Sequence, residues 1–430
     1  MKDSGIEWIG EIPDDWEFNQ GKYYLFDKKV IAGIRADEYE RLSLTLNGVV
    51  PRAKDDNDGL QPKNFNSYQI LNKGELVFKL IDLQNVATSR VGISDYTGIV
   101  SPAYITLHNK ANIDMKFLYY FYMMMWYRRI FNTLGDAGVR SNLVAKDLLE
   151  IKFPIPPLQE QTRIANFLDE KCGLIDSIRD KLRKEIEDLG SYRKSIITET
   201  VTKGLNPNVP MKDSGIEWLG QIPAHWEVKK VKHLFYSGKG LNITKSNLID
   251  YGLPVISYGQ IHSKDNDGVS LKPYLLRYVD WDYQSKYPQC EVYQNDFVFA
   301  DTSEDSDGCG NCVYNRDDNI VYAGYHSIIL HSKARRDNRY LAYLFQTDIW
   351  RKQLRENSFG VKVFSITQFN LMNSSLLLPS FEEQHEIANF LDTINERLAE
   401  SIKAKQTQLT ELESYKKSLI YEYVTGKKRV

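Results

Sequence analysis

Four cysteines in 430 residues cannot staple a chain of this length, which excludes a disulfide-framed secreted scaffold. No apolar run approaches the roughly 20 residues that a membrane-crossing helix needs. The opening Met1-Lys2-Asp3-Ser4-Gly5 also lacks the charged-then-apolar order of a secretory signal. A cytoplasmic protein that does not enter the membrane is therefore expected. No GxxxxGK[ST] loop is present to cradle nucleotide phosphates, and no HExxH to bind catalytic zinc. Amino-methyltransferases set Asn-Pro-Pro-aromatic or Asp-Pro-Pro-aromatic beside their target base; Asn206-Pro207-Asn208 is neither. The chain is accordingly expected to be non-catalytic and to hold no cofactor and no metal. Cys309-Gly310-Asn311-Cys312 is a lone CxxC. Zinc would need two more ligands there, from Cys290, His326 or His331, and reduced thiols beside strands are the expected reading.

Strong charge of one sign is missing too, since the net charge is −2. The sum conceals a partition, because residues 19–153 carry +4 and 229–378 carry +2, against −5 over 1–18 and −2 over 211–228. Phosphate contact requires a local positive face rather than a basic whole, so nucleic-acid binding is permitted.

The chain also contains a long-range repeat. Residues 1–18 (MKDSGIEWIGEIPDDWEF) and 211–228 (MKDSGIEWLGQIPAHWEV) agree at 13 of 18 positions, at an offset of 210. Residues 159–169 (QEQTRIANFLD) and 382–392 (EEQHEIANFLD) agree at 8 of 11, at an offset of 223. Ser191-Tyr192-Arg193-Lys194-Ser195 returns at that second offset as Ser414-Tyr415-Lys416-Lys417-Ser418. The intervening stretches, 19–153 and 229–378, do not align by eye. Alike ends around unlike middles imply one frame carrying two different readers.

The frame segments read as long helices. Pro156-Pro157 sits where proline is tolerated, at a helix start. Ser380 and Glu383 form a capping box for the second helix. With Leu168 and Leu391 at heptad position a, Ile175, Leu182, Leu189 and Ile196 follow in one helix and Leu398, Leu412 and Leu419 in the other, with Lys405 interrupting. About 45 residues give a rod of about 65–70 Å. A single such helix would expose its stripe, so the two are expected to pair, antiparallel, as a spacer.

The blocks between read as mixed α/β. Strands are expected at 49–51, 76–78, 104–107, 297–300 and 327–330, and turns at Asp58-Gly59, Lys73-Gly74 and Asp267-Gly268. Aromatic helices over 117–122 and 340–345 are expected to be core. Acidic runs at 55–58, 265–267 and 301–307 read as solvated turns, although a nuclease could hold Mg²⁺ with such residues.

The repeated MKDSGIEW(I/L)G(E/Q)IP..W opening, the (P)PL.EQ..IA.FLD helix start and the Val201-Thr202-Lys203-Gly204-Leu205 link resemble the conserved regions of specificity subunits of Type I restriction–modification systems. Leu76–Asn85 with Gly98–Tyr104, and Phe299–Asp305 with Ala323–His326, resemble that family's target-recognition domains. The resemblance implies an α+β fold, with two mixed α/β target-recognition domains separated by two long helices forming an antiparallel coiled coil, as a pseudo-twofold internal repeat. The corresponding divisions are 1–153 (opening motif 1–18), 154–203, 204–378 (opening motif 211–228) and 379–430. It further implies a bipartite double-stranded DNA target, two docked adenine-N6 modification subunits, and restriction/translocase subunits. S-adenosylmethionine, ATP and Mg²⁺ would belong to those partners.

Candidate DNA-contacting residues follow from chemistry and position. Gly138-Val139-Arg140-Ser141-Asn142 and, at an offset of 222, Gly360-Val361-Lys362-Val363-Phe364 form basic loops before each frame helix, where glycine lets backbone approach a duplex and Arg140 or Lys362 meets phosphate or guanine. Lys79, Gln84, Asn85, Ser89 and Arg90 form a polar-basic stretch suited to base edges. Thr302, Ser303 and Glu304, with His326, occupy the strand exit of the second block. Two other readings are open on sequence alone: a self-sufficient nuclease built on Asp301–Asp307, and a coiled-coil scaffold that binds no DNA.

Overall fold

The structure is a computed structural model and describes all residues except 57–61, 63, 84–88, 135–141, 217–218, 335 and 357–362. The chain forms two compact units, one of residues 1–183 with 405–430 and the other of 184–404. Both units draw on both long helices, Leu158–Lys203 and Phe381–Val424. This grouping cuts across the linear divisions expected from sequence.

In the first unit the central sheet has the order Leu25–Asp27, Ile105–Asn109, Leu76–Lys79, Arg90–Ile93, antiparallel throughout. Leu76, Val77 and Phe78 are all buried, as an uninterrupted apolar strand in mid-sheet must be. A second sheet holds Arg41–Thr45 parallel to Gly98–Val100. Helix Met115–Tyr127 starts at Asp114, whose carboxylate accepts from the N–H groups of Lys116 and Phe117 at 2.9 and 3.1 Å. It buries Phe117, Phe121 and Tyr122, so its aromatics are core as expected.

The second unit repeats this plan with different residues. Its central sheet runs Phe235–Lys239, Ser327–Ser332, Phe297–Ala300, Cys312–Tyr314, again antiparallel. Leu253–Ile256 lies parallel to Tyr322–Ala323. Helix Arg339–Phe345 buries every residue from Tyr340 to Phe345. Two blocks that do not align by eye thus share one strand order. The greater length of the second falls largely between Ile256 and Phe297, in short helices and the strand Arg277–Val279.

The opening motifs act as twin latches. In the first unit, Lys2–Asp3 pairs with Glu11–Ile12, and the buried Trp16 donates its indole N–H to Glu160 at 3.2 Å. In the second, Met211–Asp213 pairs with Gln221–Pro223, and Trp226 donates to Glu383 at 3.1 Å. Glu160 and Glu383 lie in the first turns of the two long helices, where a carboxylate also suits the helix dipole. The Ser380 hydroxyl caps the second helix as expected, accepting from the Glu383 N–H at 3.2 Å. The capping-box pattern expects the Glu383 side chain to return to the Ser380 N–H; the fold instead sets it against Trp226 and His225.

Each latch also touches the end of the other helix. Gly426 (φ +71°) packs on Pro13 and Trp16, and Gly204 (φ +78°) packs on Trp226 and Glu383. The left-handed backbone and the close approach both call for glycine. A strand leading into each helix then pairs with the strand after each opening motif, Lys152–Ile155 with Glu17–Gln20 and Ser375–Leu378 with Glu227–Lys230.

Within each unit the two helices run antiparallel. In the first, Phe167 meets Tyr423 with ring centroids 4.5 Å apart, and Lys416 Nζ lies 2.7 Å from Asp176. In the second, Arg193 donates to Asn395 at 2.7 Å. Leu168, Ile175, Leu182, Leu391, Leu398 and Leu419 are buried as heptad positions should be. At Leu189 and Ile196 the seam is only half-buried, and burial passes to Ile197 and Val201. A straight helix of 3.6 residues per turn drifts off a strict seven-residue repeat, which accounts for the slip.

Candidate nucleic-acid interface

In the first unit the chain leaves the strand Leu76–Lys79 through Leu80, Ile81 and Asp82 and re-enters the sheet at Arg90. Lys79 and Arg90 are register partners across the two strands. Burial, aided by the neighbouring Arg90 charge, pulls the Lys79 ammonium below the ordinary lysine range. Asn142 accepts from the Asp82 N–H at 3.0 Å through its side-chain oxygen, and the Leu143 N–H donates to the Leu80 carbonyl at 3.2 Å. The last residue of the basic loop and the one that follows it therefore sit against the strand exit.

The second unit makes the same junction. Ile366 N–H donates to the Asp301 carbonyl at 2.7 Å, and Thr302-Ser303 pairs with Phe364-Ser365. Leu143 and Ile366 are separated by 223 residues, the offset of the frame helices. In both units the structure brings a strand exit together with a segment about 60 residues further on. Sequence alone nominates the two pieces separately.

Individual candidates divide by exposure. Asn142, Glu304 and His326 are exposed; Lys79, Arg90 and Thr302 are half-buried. His326 stands in the left-handed region (φ 53°) with Nδ1 3.2 Å from Asp301 Oδ1. Ser89 and Ser303 lie inside. Ser89 accepts from the Trp126 indole at 3.1 Å, and Ser303 donates to the Asp305 carbonyl at 2.7 Å. Both hydroxyls brace the exits from within. Gln84, Asn85, Arg140, Ser141 and Lys362 lie outside the described residues, as does the turn at Asp58-Gly59.

The second exit has a polar support that sequence reasoning missed. His262 Nε2 lies 2.9 Å from the Thr302 carbonyl, and its Nδ1 lies 3.0 Å from Asn311. The Arg351 guanidinium, largely buried, donates to Asn311, to the Asp307 carbonyl and to Gln346. In the sequence Arg351 is one cation among several on a short polar helix, and only the fold reveals it as the pin of the 301–311 loop.

Cys309 and Cys312 belong to the same region and are buried; Gln346 donates to the Cys312 sulfur at 3.5 Å. Burial pushes the Cys312 thiol up to about 12, so it stays protonated. Among the described residues, no three His, Cys, Asp or Glu side chains gather as a metal site.

A second missed feature is duplicated. His108 Nδ1 lies 2.7 Å from Glu75, and His331 Nδ1 lies 2.7 Å from Asp296, each pair tying the central sheet to the turn before it. The Glu75 hydrogen bond raises the His108 imidazole above its ordinary value. Burial alone would raise the Glu75 carboxyl, but bonds from His108 and Asn72 hold it below the usual carboxylate range.

The family model of the Type I restriction modification DNA specificity domain matches residues 35–188 and again 223–411. The chain belongs to that family. It is a Type I restriction–modification specificity subunit, the non-catalytic and DNA-recognising member of its system. It is 28% identical over 430 residues to the Type I restriction enzyme MjaVIII specificity subunit of Methanocaldococcus jannaschii, an alignment covering 97% of this chain and 94% of that one. A solved chain from work on complex assembly and conformational transition of the type I R-M system shares the fold, with a TM-score of 0.70 at 14% identity and coverage of 96% and 98%. The HsdS subunit from Thermoanaerobacter tengcongensis superposes with a TM-score of 0.52 at 13% identity, covering 97% and 98%. Among the described residues of this specificity subunit, no helix is long and apolar enough to cross a membrane.

Proposed function

We propose that this specificity subunit reads a bipartite DNA target, one recognition block per half-site, and carries two modification subunits on its helices. The observation that carries the reading is the shared strand order of two blocks without alignable sequence, each with the same junction between a strand exit and residues 142–143 or 364–366. One architecture with different side chains is what two half-sites of different sequence require. Lys79, Gln84, Asn85, Arg90, Arg140, Ser141 and Asn142 would face one half-site, with Thr302, Glu304, His326 and Lys362 at the other. Ser89 and Ser303 would position them. An acid such as Glu304 suits cytosine N4, while Arg140 or Lys362 suits guanine or phosphate.

Docking of modification subunits is supported by apolar side chains that the helices leave exposed: Leu174 at 56%, Tyr192 at 54% and Tyr415 at 58%. Large exposed apolar groups of this kind on a polar rod mark an association surface. The fold is also that of a chain solved in work on the assembly of a type I R-M complex. S-adenosylmethionine would serve the modification subunits, and ATP and Mg²⁺ the restriction/translocase subunits, in a cytoplasmic complex. The test is to exchange residues 229–378 for the corresponding block of another member and sequence the methylome. One half of the gapped methylated motif should change while the other persists. Change in both halves, or in neither, would reject the assignment of one block to one half-site.

A further inference from the structure

Within the first unit a cleft of about 360 Å³ lies between the end of helix Met115–Tyr127 and the paired long helices. Trp126, Tyr127 and Arg129 form one wall, and Asp176, Arg179, Glu413, Lys416 and Lys417 line the other side, so four cations face two carboxylates. Two of the cations are already paired: Asp176 takes Lys416 at 2.7 Å and Arg179 at 2.8 Å, Arg179 also meets Asp180 at 3.0 Å, and Glu413 faces Arg183 at 3.8 Å. Arg129 and Lys417 are not. Both are exposed, and among the described residues neither side chain meets a carboxylate. Lys417 instead lies over the Tyr127 ring, 5.7 Å from its centroid. The cleft therefore presents net positive charge at its rim.

Arg129 also occupies a backbone conformation that arginine disfavours. The helix closes with the Arg129 N–H on the Trp126 carbonyl at 3.1 Å and the Ile130 N–H on the Met125 carbonyl at 2.9 Å. At this closing position φ is +57°, where glycine is the usual residue. An L-residue held in the left-handed region is strained, and such strain concentrates at functional positions. The place of the cleft adds a direction. Trp126, in its wall, donates to Ser89, itself one of the candidate DNA-contacting residues of the first block.

We propose that Arg129 and Lys417 grip the DNA sugar-phosphate backbone beside the half-site read by the first block. This rests on the DNA-reading function proposed above. The corresponding cleft of the second unit is balanced: Arg193, Lys194 and Arg351 face Asp267, Asp307 and Asp348. The first block thus supplies sequence-independent anchorage that the second does not match, and the helices take part in binding as well as in spacing.

The test uses the full chain and a fluorescent duplex of arbitrary sequence, titrated across a salt series. For the wild type, log affinity should fall linearly with log salt. Each of Arg129→Gly and Lys417→Gln should take about 0.9 off that slope, and together about 1.8, with the same loss on a duplex bearing the methylome-derived site. Arg129→Gly should at the same time raise the unfolding midpoint by about 2–4 °C by relieving strain worth one glycine preference. A lower slope from a better-folded variant cannot come from misfolding. An unchanged slope in the double variant overturns the proposal. If that variant instead sheds modification subunits on gel filtration, the cleft is a protein-docking surface and the proposal falls. A wild type without salt-sensitive duplex binding would fail earlier, and would remove the DNA-reading function itself.

Discussion

The two units solve the same construction problem with different means. Both hang a four-stranded sheet from an opening hairpin latched by tryptophan to a helix-start glutamate. Behind the strand exit they diverge. The second unit fills the space with a buried arginine holding Asn311 and the Asp307 carbonyl. The first uses an indole on a serine and leaves its nearby cations facing solvent. The latch and the strand order are what the repeat preserves, whereas support of the reading edge varies with what is read.

The largest effect should come from the latches. Trp16→Ala and Trp226→Ala each remove a fully buried side chain together with its indole donor to a helix-start carboxylate, costing about 3–5 kcal/mol. Chemical denaturation of the two variants should give losses equal to within about 1 kcal/mol; a clear inequality would break the twofold equivalence. Gly426→Ala should follow. It places a Cβ against Pro13 and Trp16 in left-handed backbone and should cost about 1–3 kcal/mol by the same measurement.

Arg351→Met sharpens the difference between units. It leaves Asn311 and the Asp307 carbonyl without their buried donor, at a cost of about 1–3 kcal/mol. Binding to gapped duplexes altered in one half at a time should show lost discrimination only at the half-site of the second block. Loss at both would mean that the support is not local to its unit.

The smallest effect concerns pH. His108 is raised above its ordinary value by Glu75, so its contribution is complete below the unfolded imidazole value near 6.5 and is lost as pH rises through the folded value. Glu75 is depressed, so its contribution holds above the ordinary carboxylate value and is lost as pH falls through the folded one. The pair stabilises the first unit most between those limits. His108→Gln should flatten the decline in thermal stability from about pH 6.5 to 8, and an unaltered slope would show that the decline arises elsewhere.

Much of this was legible before any coordinates. Thirteen shared positions of eighteen announced the twin openings, and apolar heptads announced the helices. The strands at 76–78 and 297–300 stood out because they are wholly apolar, and turns at Gly74 and Gly268 because glycine carries the positive φ there. Trp16 and Glu160 were each visible as repeated residues, but 144 positions separate them, and no local pattern pairs them. Arg351 gave no local sign of burial, because periodicity places a residue on a helix face without saying what covers that face.

Local chemistry thus settled what the chain is made of: two like frames, two unlike blocks, and helices long enough to pair. Propensity and side-chain period act over a few residues and are written in the order of amino acids. Which strand exit meets which later segment, which indole finds which carboxylate, and which cations keep a free charge were decided by tertiary structure. Those outcomes depend on burial and on contacts between residues far apart in sequence, and burial exists only once the chain has closed around itself.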